Sequence, residues 1–243
     1  MPGPCQQARA QVNTEQMRAL DVDGVRAQVG GDVAVQSGNA DLFEVGASLR
    51  IDARSAGNYT FLVGDVRYGE NNGDPFRNRS FVHLRYNRTL GPRVVAEAFN
   101  QVERDGFAQL QVRTLLGAGL RLRYIDTETV KLFQGTTPMY EYENLDAAAV
   151  QRHPAESSRV RWSNYVNVRI RLTDNTYLLN TVYVQPRLDA FSDVRVLDEA
   201  TLAVALSERV TLRVRFNLRY DSRPPDTVED LDIALRNGIT VAL

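Results

Sequence analysis

Between Arg209 and Tyr220 the chain alternates without a break. Val210, Leu212, Val214, Phe216, Leu218 and Tyr220 share one parity, and Arg209, Thr211, Arg213, Arg215, Asn217 and Arg219 share the other. A period of two is that of a β-strand, whose side chains point alternately to opposite faces. One face is wholly apolar and the other bears Arg209, Arg213, Arg215 and Arg219. In a soluble sandwich the apolar face turns into a core. In a membrane barrel the assignment inverts, with apolar residues toward lipid and arginines toward a wet lumen.

The same period recurs along the chain. Phe43, Val45, Ala47, Leu49 and Ile51 oppose Glu44, Ser48, Arg50 and Asp52. Leu116, Leu120, Leu122 and Tyr124 oppose Arg113, Arg121 and Arg123, and Val160, Trp162, Val166 and Val168 oppose Arg159, Arg161, Arg169 and Arg171. About twelve strands result, many at or above the roughly 9–11 residues that a tilted membrane crossing needs. Ordinary globular strands average about 5–6. The connections sort by parity. Arg54–Asn58, Thr89–Pro92, Asp126–Glu128, Thr173–Asn175 and Ser207–Glu208 are tight, and they alternate with Gly69–Asn78, Glu103–Phe107, Asn144–Ser158, Pro186–Asp193 and Asp221–Glu229 on the longer, polar side. Short turns at one end and longer loops at the other are the signature of an up-and-down outer-membrane barrel.

Energetics agree. An arginine facing lipid near the midplane costs about 2–4 kcal/mol, so the strand holding Arg159, Arg161, Arg169 and Arg171 has one tolerable orientation. Phe43, Tyr86, Tyr124, Trp162 and Tyr220 sit where apolar faces end, as an interfacial aromatic girdle does. The expected fold is therefore all-β: a single up-and-down antiparallel transmembrane β-barrel of about 12 strands. It occupies residues 23–243, after an N-terminal arm over 1–22. Within the arm, Ala8-Arg9-Ala10 resembles the end of a signal peptide, and Asn13-Thr-Glu-Gln16 caps a short helix over 13–20. No apolar run approaches the roughly 18 residues of a membrane helix. The net charge of −1 gives no electrostatic case for nucleic acid.

No catalytic constellation stands out. Cys5 is the only cysteine, and the histidines, His83 and His153, are far apart. A zinc site needs a denser set of ligands. Neither histidine carries the His-x-Ser pattern of an outer-membrane phospholipase, since His83 precedes Leu84-Arg85 and His153 precedes Pro154-Ala155. The reading is a non-enzyme with no cofactor and no metal.

The chemistry left over is arginine, since Lys131 is the sole lysine. A guanidinium keeps its charge and presents a planar fork to carboxylates and phosphates. On one view Arg159, Arg161, Arg169, Arg171, Arg213, Arg215 and Arg219 line a track that selects small anionic solutes. On the other they pair with Glu44, Asp52, Asp65, Glu97, Glu141 and Glu199 across a filled barrel and conduct nothing. A barrel of about twelve strands lies between packed 8-stranded and open 16-stranded kinds, so its girth does not choose.

Several short motifs carry a family likeness. Ser37-Gly-Asn39, Gly117-Ala-Gly119, Phe133-Gln-Gly135, Tyr140-Glu-Tyr-Glu143, Val184-Gln-Pro186, Asp193-Val-Arg195, Asp221-Ser-Arg-Pro-Pro-Asp226 and Leu235-Arg-Asn-Gly238 resemble the salt-induced outer-membrane protein family, domain of unknown function 481. Such barrels ordinarily end on an aromatic residue read by the assembly machinery, whereas Leu243 stands here. The resemblance implies a bacterial outer-membrane barrel in contact with lipid and lipopolysaccharide, inserted by the barrel-assembly machinery. Its termini would be periplasmic and its longer loops extracellular. The roles it leaves open are a structural, salt-stress or narrow-pore barrel, an anion or oligosaccharide channel, and a scaffold binding a protein through Gly69–Asn78 and Asn144–Ser158. A soluble β-sandwich or lipocalin-like binder is the contrasting reading.

Overall fold

The computed structural model describes residues 23–241, apart from 39–40, 149, 152–153, 208 and 225–227. The 1–10 segment, Cys5, the helix expected over 13–20, His153 and Leu243 lie outside the described residues. Within them the alternating segments form twelve strands: β1 (Gly24–Gln36), β2 (Leu42–Ser55), β3 (Asn58–Asn71), β4 (Asp74–Thr89), β5 (Val94–Asp105), β6 (Leu110–Asp126), β7 (Val130–Leu145), β8 (Glu156–Thr173), β9 (Thr176–Pro186), β10 (Val194–Ala205), β11 (Val210–Asp221) and β12 (Leu231–Val241). Each pairs antiparallel with its sequence neighbour, so the sheet order is the chain order. Among the described residues β1 and β12 form no ladder with each other, and β1 is exposed along its length.

The turns at one end are short throughout, over 56–57, 90–93, 127–129, 174–175 and 206–209. The other end holds the longer connections 146–155, 187–193 and 222–230. One expected long loop is corrected. Most of Gly69–Asn78 belongs to β3 and β4, which meet in a two-residue turn at Asn72-Gly73. Asn72 has φ 52° and Gly73 φ 82°, the left-handed pair that a type I′ hairpin requires. Pro75 has no N–H to give, and the ladder accommodates it with a register shift at Gly69/Glu70.

The sheet is curled. A flat sheet would hold β5 and β8 about 14 Å apart, at about 4.8 Å per strand. Instead the Tyr165 hydroxyl on β8 donates to Glu97 on β5 at 2.8 Å. Arg195 on β10 likewise reaches Glu141 on β7 at 2.6 Å. The concave face is polar: Asp52, His83, Glu97, Arg113, Glu141, Arg161, Asn167 and Thr181 are buried there. The convex face exposes Val82, Leu84, Leu120, Val160, Val166 and Val184. Polar inside and apolar outside is the reverse of a soluble core, and the sandwich reading falls with it.

Phe43, Tyr86, Tyr124 and Trp162 are exposed on the convex face, and Tyr220 is half-buried on it. They fall into two levels. Tyr86 and Tyr124 stand beside the short turns, while Phe43, Trp162, Tyr220 and also Tyr140 lie ten to twelve residues along their strands from that end. The levels are thus roughly eight residues apart, about 20 Å at a tilt of about 40°, close to the apolar band of about 25 Å. Several polar tips are held locally, with Trp162 Nε1 donating to Thr136 at 2.7 Å and the Tyr124 hydroxyl to Gln134 at 2.8 Å. Val166 lies midway between the levels. Val166→Arg is expected to cost about 2–4 kcal/mol in urea unfolding from lipid vesicles. A cost below about 0.5 kcal/mol would remove Val166 from the lipid-facing band.

Candidate functional site

The inner face is built in three layers. At the long-loop end lies a network of ion pairs drawn from six strands and the loop between β9 and β10. Arg161 on β8, with 1% of its surface exposed, donates to Glu141 at 3.2 Å and to Asp193 at 2.9 Å. It also donates to the backbone carbonyl of Gln185 at 3.2 Å. Arg195 touches Glu141 at 2.6 Å, Glu143 at 3.3 Å and Asp221 at 2.7 Å. Arg113 pairs with Glu143 and, at 2.9 Å, with Glu103. Each guanidinium therefore serves at least two carboxylates, and Glu141 and Glu143 each bridge two arginines.

The loop between β9 and β10 laces into this layer. Arg187 donates to Asp193 at 3.2 Å and forks onto Asp189 at 2.8 and 2.6 Å. Those two hydrogen bonds lower the exposed Asp189 carboxyl to about 2. Arrangement in strand order explains the layer. Glu103, Arg113, Glu141, Glu143, Arg161 and Arg195 all have odd parity, which is the inward parity from β3 to β11, and all lie near the long-loop ends of their strands.

The middle layer is aromatic. His83 is buried among Phe61, Phe81 and Phe99, with ring centroids 5.7, 6.2 and 5.8 Å away. Its Nδ1 lies 3.1 Å from Gln101 Oε1. Tyr165 and Tyr183 pack at 5.2 Å beside the fully buried Leu197. Glycines make room for these rings. A Cβ at Gly135 would stand 1.9 Å from the Tyr165 ring, and one at Gly117 would stand 2.6 Å from Phe99. Two rings thus occupy the space that a side chain at Gly135 or Gly117 would fill.

The third layer, at the short-turn end, is wet. A cavity of about 650 Å³ is lined by Lys131, Arg169, Arg171, Tyr177, Glu128 and Asp174, with Thr129, Thr173 and Thr176. Arg169 and Arg171 are exposed. The Arg169 guanidinium lies 5.3 Å from the Tyr177 ring centroid.

The arginines singled out from the sequence therefore divide. Arg161 enters the ionic layer, and Arg159 is half-buried on the same inner face, two residues nearer the long-loop end. Arg169 and Arg171 stand at the wet mouth. Arg213, Arg215 and Arg219 lie on the inner face of β11, opposite Ala203, Thr201 and Leu197 of β10.

The acids singled out from the sequence meet the following partners. Glu44 pairs with Arg77, and Asp65 with Arg79 at 3.0 Å. Asp52 pairs with Arg50 at 2.6 Å, and Glu97 lies 3.7 Å from Arg85. Glu199 accepts from Asn217 at 2.6 Å. Glu141–Arg161 joins two residues from the two sets. Arg195, Arg113, Glu143, Glu103, Asp193 and Asp221 did not stand out by charge. Four of them fall in or beside the family-like motifs at 140–143, 193–195 and 221–226.

Comparison with known proteins gives one family and two structural likenesses. The family model described as "Protein of unknown function, DUF481" matches residues 27–243. No curated protein matches. Among solved structures, the NanC porin superposes with a TM-score of 0.50 at 10% identity, covering 89% of this chain and 99% of that one. The translocator domain of the autotransporter NalP from Neisseria meningitidis gives 0.46 at 12% identity, over 91% and 90% of the two chains. The porin likeness shows a shared barrel fold.

Proposed function

As the chain belongs to the DUF481 family, whose description leaves function open, its role must be argued from its own lumen. We propose that it is a non-catalytic outer-membrane barrel whose lumen is closed at the long-loop end. Its job is structural, or that of a narrow pore at most. The observation that carries this reading is the ionic layer: Arg113, Arg161 and Arg195 are saturated by carboxylates where a conducting pore needs water. The aromatic layer beneath it supports the same conclusion. Periplasmic termini, with the 146–155 and 187–193 loops outside, follow the ordinary orientation of such barrels.

Purified protein in planar bilayers tests the proposal. Wild type is expected to show no steps of porin size, and Arg161→Ala with Glu141→Ala is expected to introduce them. Large steps from wild type at moderate voltage would overturn closure. The second reading, an anion channel, is favoured by Arg169, Arg171 and Arg215, which are exposed on the inner face. It requires measurable anion selectivity that falls when Arg169 is replaced.

A further inference from the structure

We propose that the short-turn mouth is a binding site for small polyanions, of the phosphate or multicarboxylate class, held by Lys131, Arg169 and Arg171. The inference rests on the closed-lumen reading only in treating this mouth as a blind-ended vestibule rather than one end of a through-path.

Three observations converge on it. First, the register sets Lys131 directly opposite Arg169 on the inner face. Like charges directly opposite in an antiparallel pair are destabilising unless an acid intervenes, as Asp65 does between the opposed Arg67 and Arg79. Arg171 follows two residues on, on the same face, so three cations meet at one spot.

Second, the local acids do not neutralise them. Asp126 lies 3.4 Å from Lys131 but is shared with Arg123 at 2.9 Å. Glu128 and Asp174 line the same cavity, which leaves one net positive charge among its ionisable lining residues. Among the described residues neither forms an ion pair with Arg169 or Arg171.

Third, there is room. The cavity of about 650 Å³ falls within the roughly 300–1,000 Å³ range of small-molecule sites. The Arg169 guanidinium lies over the Tyr177 ring, 5.3 Å from its centroid, and its planar fork can donate a pair of hydrogen bonds to an oxyanion. Of the rim hydroxyls, those of Thr173 and Thr176 donate to Asn175 at 2.7 and 3.2 Å, which leaves that of Thr129 as the neutral donor.

The chemistry recognised is a compact group with several anionic oxygens. A free solute and a phospholipid headgroup both present it, and the test separates them. The full chain in a zwitterionic detergent is titrated calorimetrically with pyrophosphate, with citrate, and with short-chain phosphatidylglycerol. Saturable binding of pyrophosphate or citrate at low salt is expected, weakening as ionic strength rises. Arg169→Gln and Arg171→Gln should each weaken it about tenfold, the scale of one charge-assisted hydrogen bond. Arg77→Gln, at the long-loop end of β4 where it pairs with Glu44, should leave it unchanged. Binding of phosphatidylglycerol alone would assign the site to a lipid headgroup and overturn the solute form of the proposal. No saturable binding of any probe, or binding indifferent to Arg169→Gln and Arg171→Gln, overturns the site altogether. Conductance does not enter these readouts, so a failure here is distinct from a failure of lumen closure.

Discussion

Arg195→Ala is expected to destabilise the barrel by about 3–5 kcal/mol, the cost of leaving buried carboxylates without their cation. Glu141, Glu143 and Asp221 all face that guanidinium, at 2.6, 3.3 and 2.7 Å. Urea unfolding in micelles, followed through Trp162, the only tryptophan, supplies the measurement. Two companion variants separate charge from volume. Arg195→Met keeps much of the bulk and should be nearly as damaging as alanine. Adding Asp221→Asn to Arg195→Met removes the carboxylate whose ion pair was with Arg195 and should recover part of the loss. Arg195→Lys should fall between, because a single ammonium cannot fork onto three carboxylates. A loss below about 0.5 kcal/mol for Arg195→Ala would mean that water already solvates this layer.

The second large effect comes from the smallest side chains. Alanine is ordinarily the better residue inside a strand, by about 0.5–1 kcal/mol over glycine. At Gly119 and Gly135 the sign should reverse. A Cβ at Gly119 would stand 2.2 Å from the Thr136 carbonyl oxygen, within the β6–β7 ladder. At Gly135 it would enter the Tyr165 ring, whose hydroxyl is tied to Glu97 at 2.8 Å. Both variants should lose about 1–3 kcal/mol or more, as overpacked sites do. Gly238→Ala meets nothing within 4 Å and should be neutral or mildly stabilising. Tyr165→Ala should relieve Gly135→Ala but not Gly119→Ala, because the obstacle at Gly119 includes backbone. If Gly135→Ala matches wild type in heat-modifiable migration and urea midpoint, the flat seat of Tyr165 is wrong.

These glycines show how much the chain discloses and where it stops. Gly117-Ala-Gly119 and Phe133-Gln-Gly135 are visible as motifs, but nothing local says that Phe99 and Tyr165 will lie upon them. Tyr165 arrives from the next strand, thirty residues along from Gly135, and Phe99 from the strand before β6. The Asn72-Gly73 turn failed in the opposite way. Its hairpin signal was present, but neighbouring Gly69, Asp74 and Pro75 resembled a longer loop. The pairs of Arg77 with Glu44 and Arg79 with Asp65 continue the alternation through that stretch.

The arginines divide along the same line. Parity assigned Arg161, Arg169 and Arg213 to one face, because a β-strand turns each successive side chain over whatever its neighbours do. Height along the barrel is another matter. Arg161 and Arg169 share a strand and a face, yet one is sealed among carboxylates and the other opens to water. The difference depends on what adjacent strands bring to each level through their register, which no single strand encodes.

By itself, then, the chain determined the strand number, the antiparallel order, which face meets lipid, and which end carries the longer loops. Those properties follow from a local period of two and from turn chemistry. Only the tertiary structure decided that Arg195, with Glu141, Glu143, Asp193 and Asp221, closes one end while Lys131, Arg169 and Arg171 stand open at the other. Curling the sheet brings residues more than fifty positions apart, such as Arg195 and Glu141, within 2.6 Å, and distances across a lumen are not written in any local pattern.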